Sequence, residues 1–397
     1  MKTITDSQKI EEVLAKGVEV LYPNKDALKE KLLSGKRLKI YAGYDPSSPT
    51  LHIGNAIGLR KLGQFQKLGH EIIMLIGDFT GMIGDPTDKS AARKKLTRKE
   101  VEQNAKNYKK QAEKFIDFRG KNPARILKNS KWQDKLTFFD LIELASNFTV
   151  GQMIVRDMFQ KRMEEKKPIF LHEFLYPLAQ GYDSVVMDVD LEVGGNDQVF
   201  NMLCGRDLMK AVKNKEKFVL GTKLLVDPTG KKMGKSEGNM VSLNEKPEEM
   251  YGKIMSWPDE VIRVGFEICT DLSLSEIDSL YQENITPRDL KAKLAKEIVK
   301  TCHGETEAQR AESEFDKVFR SNDLPTNLPE VEILQSSLNL LDLLVQTKMA
   351  PSKSEAKRLV LQRGVKIDDI IEDNWAKNIE IKKGTIIKIG RKFVKII

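Results

Sequence analysis

The sequence predicts an α/β fold class, a doubly wound parallel sheet, from two strand–helix–strand units far apart in the chain and the helical stretches around them. In the first unit, residues 38–44 (LKIYAGY) read as a strand. Residues 71–77 (EIIMLIG) read as a continuous apolar strand of the kind buried on both faces of a parallel sheet. The helix between them carries the stripe Leu59, Leu62, Phe65 and Leu68 and closes at Gly69. In the second unit, DLEVGG (190–195) is a strand, NDQVFNMLCGRDLMKAV a helix and KFVLGTKLLV (217–226) another strand. Together the halves make a Rossmann-type sheet.

Between the halves, residues near 95–185 form a helical insertion. Its segment TFFDLIELASNFTVGQMI is more apolar than a free surface helix should be, which favours an interface slightly over core. After residue 245 the pattern is helical to about 320, and the prolines and asparagines of SNDLPTNLPEVE mark a linker. The remainder reads as helices, including SKSEAKRLVLQR ended by Gly364, then short strands around the KKGT and GRKF turns. The expected domains are thus 1–245 with its insertion, a helical domain over 246–325, and a small α+β domain over 331–397.

A chain of 397 residues is too long for one compact core, and 40% hydrophobic residues is ordinary for a globular protein. A net charge of +8 and a pI near 9.0 favour a polyanionic partner, nucleic acid before membrane. No apolar run approaches the ~20 residues needed to span a bilayer, and the polar start MKTITDSQKIEE lacks a signal-peptide core, so a cytoplasmic protein is expected. Cys204, Cys269 and Cys302 are far apart with no CxxC pairing, which signals neither disulfides nor zinc.

Two short stretches carry chemistry. In YDPSSPTLHIGN (44–55), prolines and hydroxyl residues stop the strand and supply capping oxygens just where the first helix begins. A helix N-terminus attracts phosphate, and His52 and Asn55, three apart, can face the same spot and add side-chain donors to the backbone ones. Gly54 between them leaves room for a flat base against the backbone. A capped helix with a chance histidine is the plainer reading. In DPTGKKMGKSEGN (227–239), Lys232 and Lys235 flank Gly234 in a glycine-rich stretch. It is not a Walker A loop, because its glycine falls at Gly230, one position late, and no helix pattern follows directly. Either it is a solvated hairpin tip or a lysine loop that closes over a triphosphate.

Together and in this order, His52-Ile53-Gly54-Asn55 and Lys232-Met233-Gly234-Lys235-Ser236 resemble the HIGH and KMSKS signatures of class I aminoacyl-tRNA synthetases. Over nearly the whole chain, through YAGYDPSSPTLHIGN, GMIGDPTDKSAAR, YPLAQGYD, VGGNDQ and KKMGKS, the sequence resembles the bacterial tyrosyl-tRNA synthetases. Asn55 stands for the second histidine of HIGH and Gly234 for the first serine of KMSKS; an asparagine amide donates as an imidazole does, and glycine keeps a loop flexible.

The resemblance implies a site. Tyr41, at the carboxyl end of the first strand, and Asp183 would bind the substrate phenol; Asp85, Tyr176 and Gln180 would grip the tyrosine ammonium, with Gly43 and Gln198 completing the tyrosine set. ATP would lie on Asp45, Gly54, Gly195, Asp197 and Ser236, and Lys89 and Arg93 would touch the leaving pyrophosphate. His52, Asn55, Lys232 and Lys235 would stabilise the β- and γ-phosphates, with Mg2+ accompanying the ATP and no dedicated metal cage. The carboxylate of L-tyrosine would attack the α-phosphate in line, and the terminal ribose of tRNA(Tyr) would then take the tyrosyl group. The last domain resembles the S4 RNA-binding domain: Ala356, Leu359 and Val360 face inward while Lys353, Lys357 and Arg358 remain for phosphates. The family implies a homodimer. A tryptophanyl enzyme on the same fold is disfavoured by the Tyr41 and Asp183 pairing and the S4-like tail. An HxGH-type nucleotidyltransferase leaves that tail unexplained, and a non-catalytic RNA-binding protein leaves the tyrosine and ATP residues unexplained.

Overall fold

The computed structural model describes residues 2–85, 95–230, 240–283, 285–390 except 321–328, and 392–397, with the backbone alone at 319–320. It divides into two compact units, Met1–Glu312 and Ser313–Ile397. The expected boundary at 245/246 lies inside the first unit, whose helices beyond it, from Pro247–Met255 to Pro287–His303, pack on one another around Phe266, Leu294, Ile298 and Val299.

The first unit is built on six strands: β1 (Val18–Tyr22), β2 (Lys39–Tyr44), β3 (Glu71–Ile76), β4 (Arg125–Lys128), β5 (Leu191–Gly195) and β6 (Phe218–Thr222), in the order β1-β6-β5-β2-β3-β4. All neighbours run parallel except β1, which pairs antiparallel with β6. The central strands are apolar throughout because helices cover both faces; Ile72 to Ile76 of β3 are all buried. Edge strands β1 and β4 were not expected from the sequence, and the last strand stops at Thr222 rather than 226. Strand order reverses between β2 and β5. In open α/β sheets that switch point, at the carboxyl ends of the strands, opens a ligand crevice.

Helix α1 (Ile53–Lys67) follows β2 with its stripe Leu59, Leu62 and Phe65 fully buried, as its periodicity requires. Its middle is anchored by buried cations. Lys61 Nζ donates to the carbonyls of Val13 and Lys16 at 2.7 Å each, and Arg60 Nη2 to that of Cys269 at 2.8 Å. Burial lowers the Lys61 ammonium to about 7. Gly63 faces the backbone of Phe115 so closely that a Cβ would stand 2.2 Å from its carbonyl oxygen.

The insertion places a short helix, α2 (Ser130–Gln133), directly after β4, and ends in α3 (Leu171–Met187), which packs on α4 (Val199–Lys213). These two helices meet at glycines: a Cβ on Gly181 would lie 3.1 Å from the amide nitrogen of Gly205. In the apolar segment that sequence reading placed at an interface, Leu144 and Met153 are buried, whereas Phe138 (79%), Phe139 and Val150 (75%) are exposed, as is Leu171 at the start of α3.

In the second unit, strands β7 (Glu330–Val331), β9 (Val365–Ile367), β10 (Ile370–Ile371), β12 (Ile386–Ile389) and β13 (Lys392–Ile396) form a sheet in the order β10-β9-β12-β13-β7, and β8 (Ser337–Asn339) pairs with β11 (Asn378–Glu380). The core comes from helix Leu340–Gln346 and from Ala356 and Val360 of α5 (Lys353–Leu361), packed on Val365, Ile387 and Val394; Leu359 is only partly buried.

The contact under α1 generates a test. Gly63→Ala forces apart two backbones that cannot yield as a side chain would, so a loss of roughly 1–3 kcal/mol is expected in urea unfolding of the full chain. An unchanged midpoint would show that α1 does not sit this close to residue 115.

Candidate active site

A cavity of about 420 Å³ opens at the switch point, lined by the carboxyl ends of β2 and β5, the start of α1 and one face of α3. That is room for a small molecule. Tyr41, Gly43, Asp45, His52, Gly54, Asn55, Asp85, Tyr176, Gln180, Asp183, Gly195, Asp197 and Gln198 all line it, so every expected tyrosine residue reaches one space.

At the start of α1, His52 Nδ1 accepts the Gly54 N–H (3.1 Å) and Asn55 Oδ1 accepts the His52 N–H (3.0 Å), a reciprocal cap. Because Nδ1 accepts, the ring is neutral with its proton on Nε2. The expectation that side chains add to free backbone donors needs correction. Residues 241–243 run alongside 51–53, and the Ile53 N–H donates to Val241 while those of Asn55 and Ala56 donate to the carbonyl of His52. What this helix end brings to the cavity wall is therefore chiefly the side chains of His52 and Asn55 rather than unbonded backbone donors. Gly54 is tight against the His52 ring, which a Cβ would approach to 2.9 Å, so its lack of a side chain serves the cap.

Tyr41 is not at the end of its strand but third of six residues in β2, wholly buried, and its hydroxyl bonds Ser184 Oγ at 2.8 Å. Gly43 is the strand residue that opens to the cavity, with nothing within 4 Å of where its Cβ would be. Tyr176, Gln180 and Asp183 share one face of α3 through their i, i+4, i+7 spacing. Tyr176 donates to Asp45 Oδ2 at 2.8 Å, and Thr80 donates to Asp45 Oδ1 at 2.6 Å. Gln180 donates to Glu192 Oε1 at 3.0 Å. Gln198 donates to Asp85 Oδ2 at 2.7 Å and accepts from Asn201, an arrangement that holds the Asp85 carboxylate at the cavity wall. Gly195 is needed by its neighbour, since a Cβ there would lie 2.4 Å from Asp197 Oδ1.

Asp183 is 2% exposed. Its Oδ1 accepts from Trp132 Nε1 (2.7 Å) and Gln133 Nε2 (2.8 Å), and its Oδ2 from Asn129 Nδ2 (3.1 Å). These donors leave Oδ2 with one acceptor position. Burial pushes the carboxyl up to about 7 against their pull, with nearby Glu192 adding to the rise.

Lys89, Arg93, Lys232, Lys235 and Ser236 lie outside the described residues, as does Gly234. Asp85 and Lys95, on either side of the first stretch, and Met240, directly after the second, line the cavity. In the second unit, the three expected RNA contacts already have partners: Lys353 pairs with Asp342 (2.5 Å), Arg358 with Glu355 (2.5 Å), and Lys357 sits 3.9 Å from the centre of the Trp375 ring. Such exposed pairs contribute little and yield to stronger anions. No group of metal-ligating side chains occurs among the described residues.

Residues 33–320 match the family model described as tRNA synthetases class I (W and Y). The chain belongs to this family. Among the synthetase's relatives, the tyrosine–tRNA ligase of Moorella thermoacetica is 43% identical over 97% of this chain and 94% of its own length. That of Haemophilus influenzae is 42% identical over 99% and 98%. Among solved structures, a C-terminally truncated mitochondrial tyrosyl-tRNA synthetase from Aspergillus nidulans matches with a TM-score of 0.67 at 23% identity, over 78% of this chain and 94% of that one. A tyrosyl-tRNA synthetase from Archaeoglobus fulgidus, complexed with L-tyrosine, matches with a TM-score of 0.61 at 22% identity, over 77% and 100%. At those identities the structural matches speak for the fold.

Sequence reading of the synthetase missed Asn129, Trp132, Gln133, Ser184 and Glu192. A strand of four residues, RILK, followed by a polar turn carries no visible signal. Ser184 directly follows the YPLAQGYD motif and Glu192 lies within DLEVGG, where a glutamate in a buried strand is itself a signal.

The raised Asp183 carboxyl sets a pH dependence. The ionised form accepts a phenol proton, so kcat/KM for tyrosine should fall as pH drops through about 7. In Asp183→Asn that dependence should vanish and kcat/KM should drop overall. The sign for stability is opposite. The folded state holds this proton more tightly than the unfolded chain, so the group's contribution is full below the unfolded value and is lost as pH rises through about 7. A tyrosine profile flat across this range in the wild type would remove Asp183 from phenol binding.

Proposed function

We propose that the chain is a tyrosine–tRNA ligase that joins L-tyrosine to ATP, releases pyrophosphate, and transfers the tyrosyl group to the 3′ end of tRNA(Tyr). The observation that carries this reading is the buried Asp183 carboxylate with one open acceptor position, which lines, with Tyr41, the same cavity as the capped start of α1. Near-full-length relatives named tyrosine–tRNA ligase support it.

A phenol is the ligand that satisfies these two groups, because its proton goes to Asp183 while its oxygen meets Tyr41. Phenylalanine leaves both polar groups unpaired, and an indole puts its N–H and bulk elsewhere. The ammonium lies among the Asp85, Tyr176 and Gln180 side chains; the Asp85 carboxylate supplies the charge. With the amino acid held by both ends, its carboxylate points toward the α1 start and attacks the ATP α-phosphate in line. Asp45, Gly54, Gly195 and Asp197 line the nucleotide side, with Asp197 bonding ribose hydroxyls.

Negative charge develops on the departing pyrophosphate. The Nε2–H of neutral His52 and the amide N–H groups of Asn55 meet it on one side. Lys232 and Lys235 with Ser236, and Lys89 with Arg93, supply the cationic side, a role supported by flanking residues that reach the cavity wall. Mg2+ enters with ATP as part of the substrate. The reaction needs no covalent enzyme intermediate; positioning and charge stabilisation suffice.

The domain plan follows: a catalytic domain over 1–245, a helical anticodon-binding domain over 246–325, and an S4-like RNA-binding domain over 331–397. RNA phosphates would displace the exposed partners of Lys353, Lys357 and Arg358. A second copy of the chain covers the exposed Phe138, Phe139 and Val150, as a homodimer. No helix of the described residues is long and apolar enough to cross a membrane, and the work belongs in the cytoplasm, where tRNA is charged.

Tyrosine-dependent exchange of pyrophosphate into ATP tests the first half-reaction, and its absence would overturn the assignment. Truncation before about Pro329 should leave that exchange intact and sharply reduce charging of tRNA. Equal loss of both activities, or of neither, would refute this division of labour.

A further inference from the structure

Lys217 is a wholly buried lysine immediately before β6 that plays no part in the chemistry above. Each of its three N–H groups is bonded. One goes to Glu192 Oε2, one to Ser184 Oγ at 2.9 Å, and one to the carbonyl of Met202 at 3.0 Å. A buried ion pair is a poor stabiliser, since desolvating two charges offsets most of their attraction, and an apolar side chain could fill the space. What the pair does instead is visible in its partners. Ser184 touches Tyr41, and Glu192 touches Gln180, the two ends of the amino-acid pocket.

Hydrogen-bond polarity can be followed outward from Lys217. An ammonium only donates, so Ser184 Oγ is an acceptor toward it and has a single proton left to give. Tyr41 Oη stands 2.8 Å away and Glu192 Oε2 3.4 Å, so that proton goes to Tyr41. Tyr41 then accepts from Ser184 and keeps its own proton to donate, with the Asp183 and Glu192 carboxylates the charges near its hydroxyl. On the other branch, a carboxylate only accepts, so Gln180 must present Nε2 to Glu192, leaving its Oε1 as an acceptor for a ligand.

We infer that the buried Lys217–Glu192 pair is the positioning element of the amino-acid pocket, fixing Tyr41 as a hydrogen-bond donor through Ser184 and Gln180 as an acceptor through its amide. The inference rests on the reading of this cavity as a tyrosine site. It explains how one hydroxyl is recognised twice: the phenol donates to Asp183 and accepts from Tyr41, so neither buried group is left with two donors or two acceptors facing. At the other end, the Gln180 carbonyl oxygen faces an ammonium rather than repelling it with an N–H.

The branches separate by substitution. Ser184→Ala removes the phenol branch and one of the three acceptors of Lys217 but leaves the Glu192–Gln180 contact, so kcat/KM for tyrosine in pyrophosphate exchange should fall roughly tenfold, the scale of one such hydrogen bond, while that for phenylalanine stays within about twofold. Glu192→Gln acts at the ammonium end, because its amide can turn and let Gln180 flip, and should lower kcat/KM for tyrosine and phenylalanine alike. Neither variant should change KM for ATP. Lys217→Met should show both losses together, and if it does not fold, the two milder variants still decide. Ser184→Ala and Glu192→Gln proteins that unfold cooperatively yet keep wild-type constants for both amino acids, or lose ATP and tyrosine affinity in parallel, would overturn the inference. A wild-type chain with no tyrosine-dependent exchange would instead overturn the reading of the pocket, and the inference with it.

Discussion

A carboxylate held out of water has to be surrounded by donors, and the architecture around the cavity follows from meeting that need at Asp183. Burial alone would leave the group protonated at neutral pH; three donors bring it back to the edge of ionisation. To deliver them, β4 has to end beside β3 at Lys128, so that Asn129 and the first turn of α2 fall opposite α3. Asn129 serves twice, since its Oδ1 also accepts the Phe79 N–H and so ties the turn after β3 to the same point. The edge strand is short because its task is to aim the residues that follow it.

That constraint also sorts what could be read in advance. Periodicity and continuous apolar runs are local, and they disclosed β2, α1, β3, β5, α4 and the helices beyond 245. The capping residues of α1 were legible for the same reason, because His52 and Asn55 are three apart in sequence and meet across one turn. The donors to Asp183 lie 50 to 54 positions from it, and no local pattern reports a partner at that range. The stop of β2 at Tyr44 was legible from the turn residues that follow it, whereas the place of Tyr41 in mid-strand, third of six, rather than at the carboxyl end, depends on how far the sheet's neighbours extend. The family resemblance supplied what locality could not, by carrying distant motifs as a set.

The substitution of asparagine for histidine at position 55 is harmless to the cap for a reason that geometry makes plain. What the cap needs from the position is an acceptor for the His52 N–H, at 3.0 Å, and the side chain can carry a donor besides. An amide carries both on one planar group, as does a neutral imidazole.

The glycine crossing of α3 and α4 has a consequence for how such a sequence can drift. At Gly205 a methyl group would stand 3.0 Å from Ser184 Oγ, 3.3 Å from the Gly181 backbone, and 2.5 Å from the ammonium of Lys217. An alanine there collides with the polar pair as well as with the facing helix. The order of changes then matters: a lineage can accept a side chain at 205 only after Lys217 has been exchanged for something shorter, and each step passes through a poorer enzyme. Positions 181, 184, 192, 205 and 217 are in this sense one heritable unit, free to change together and held in place singly.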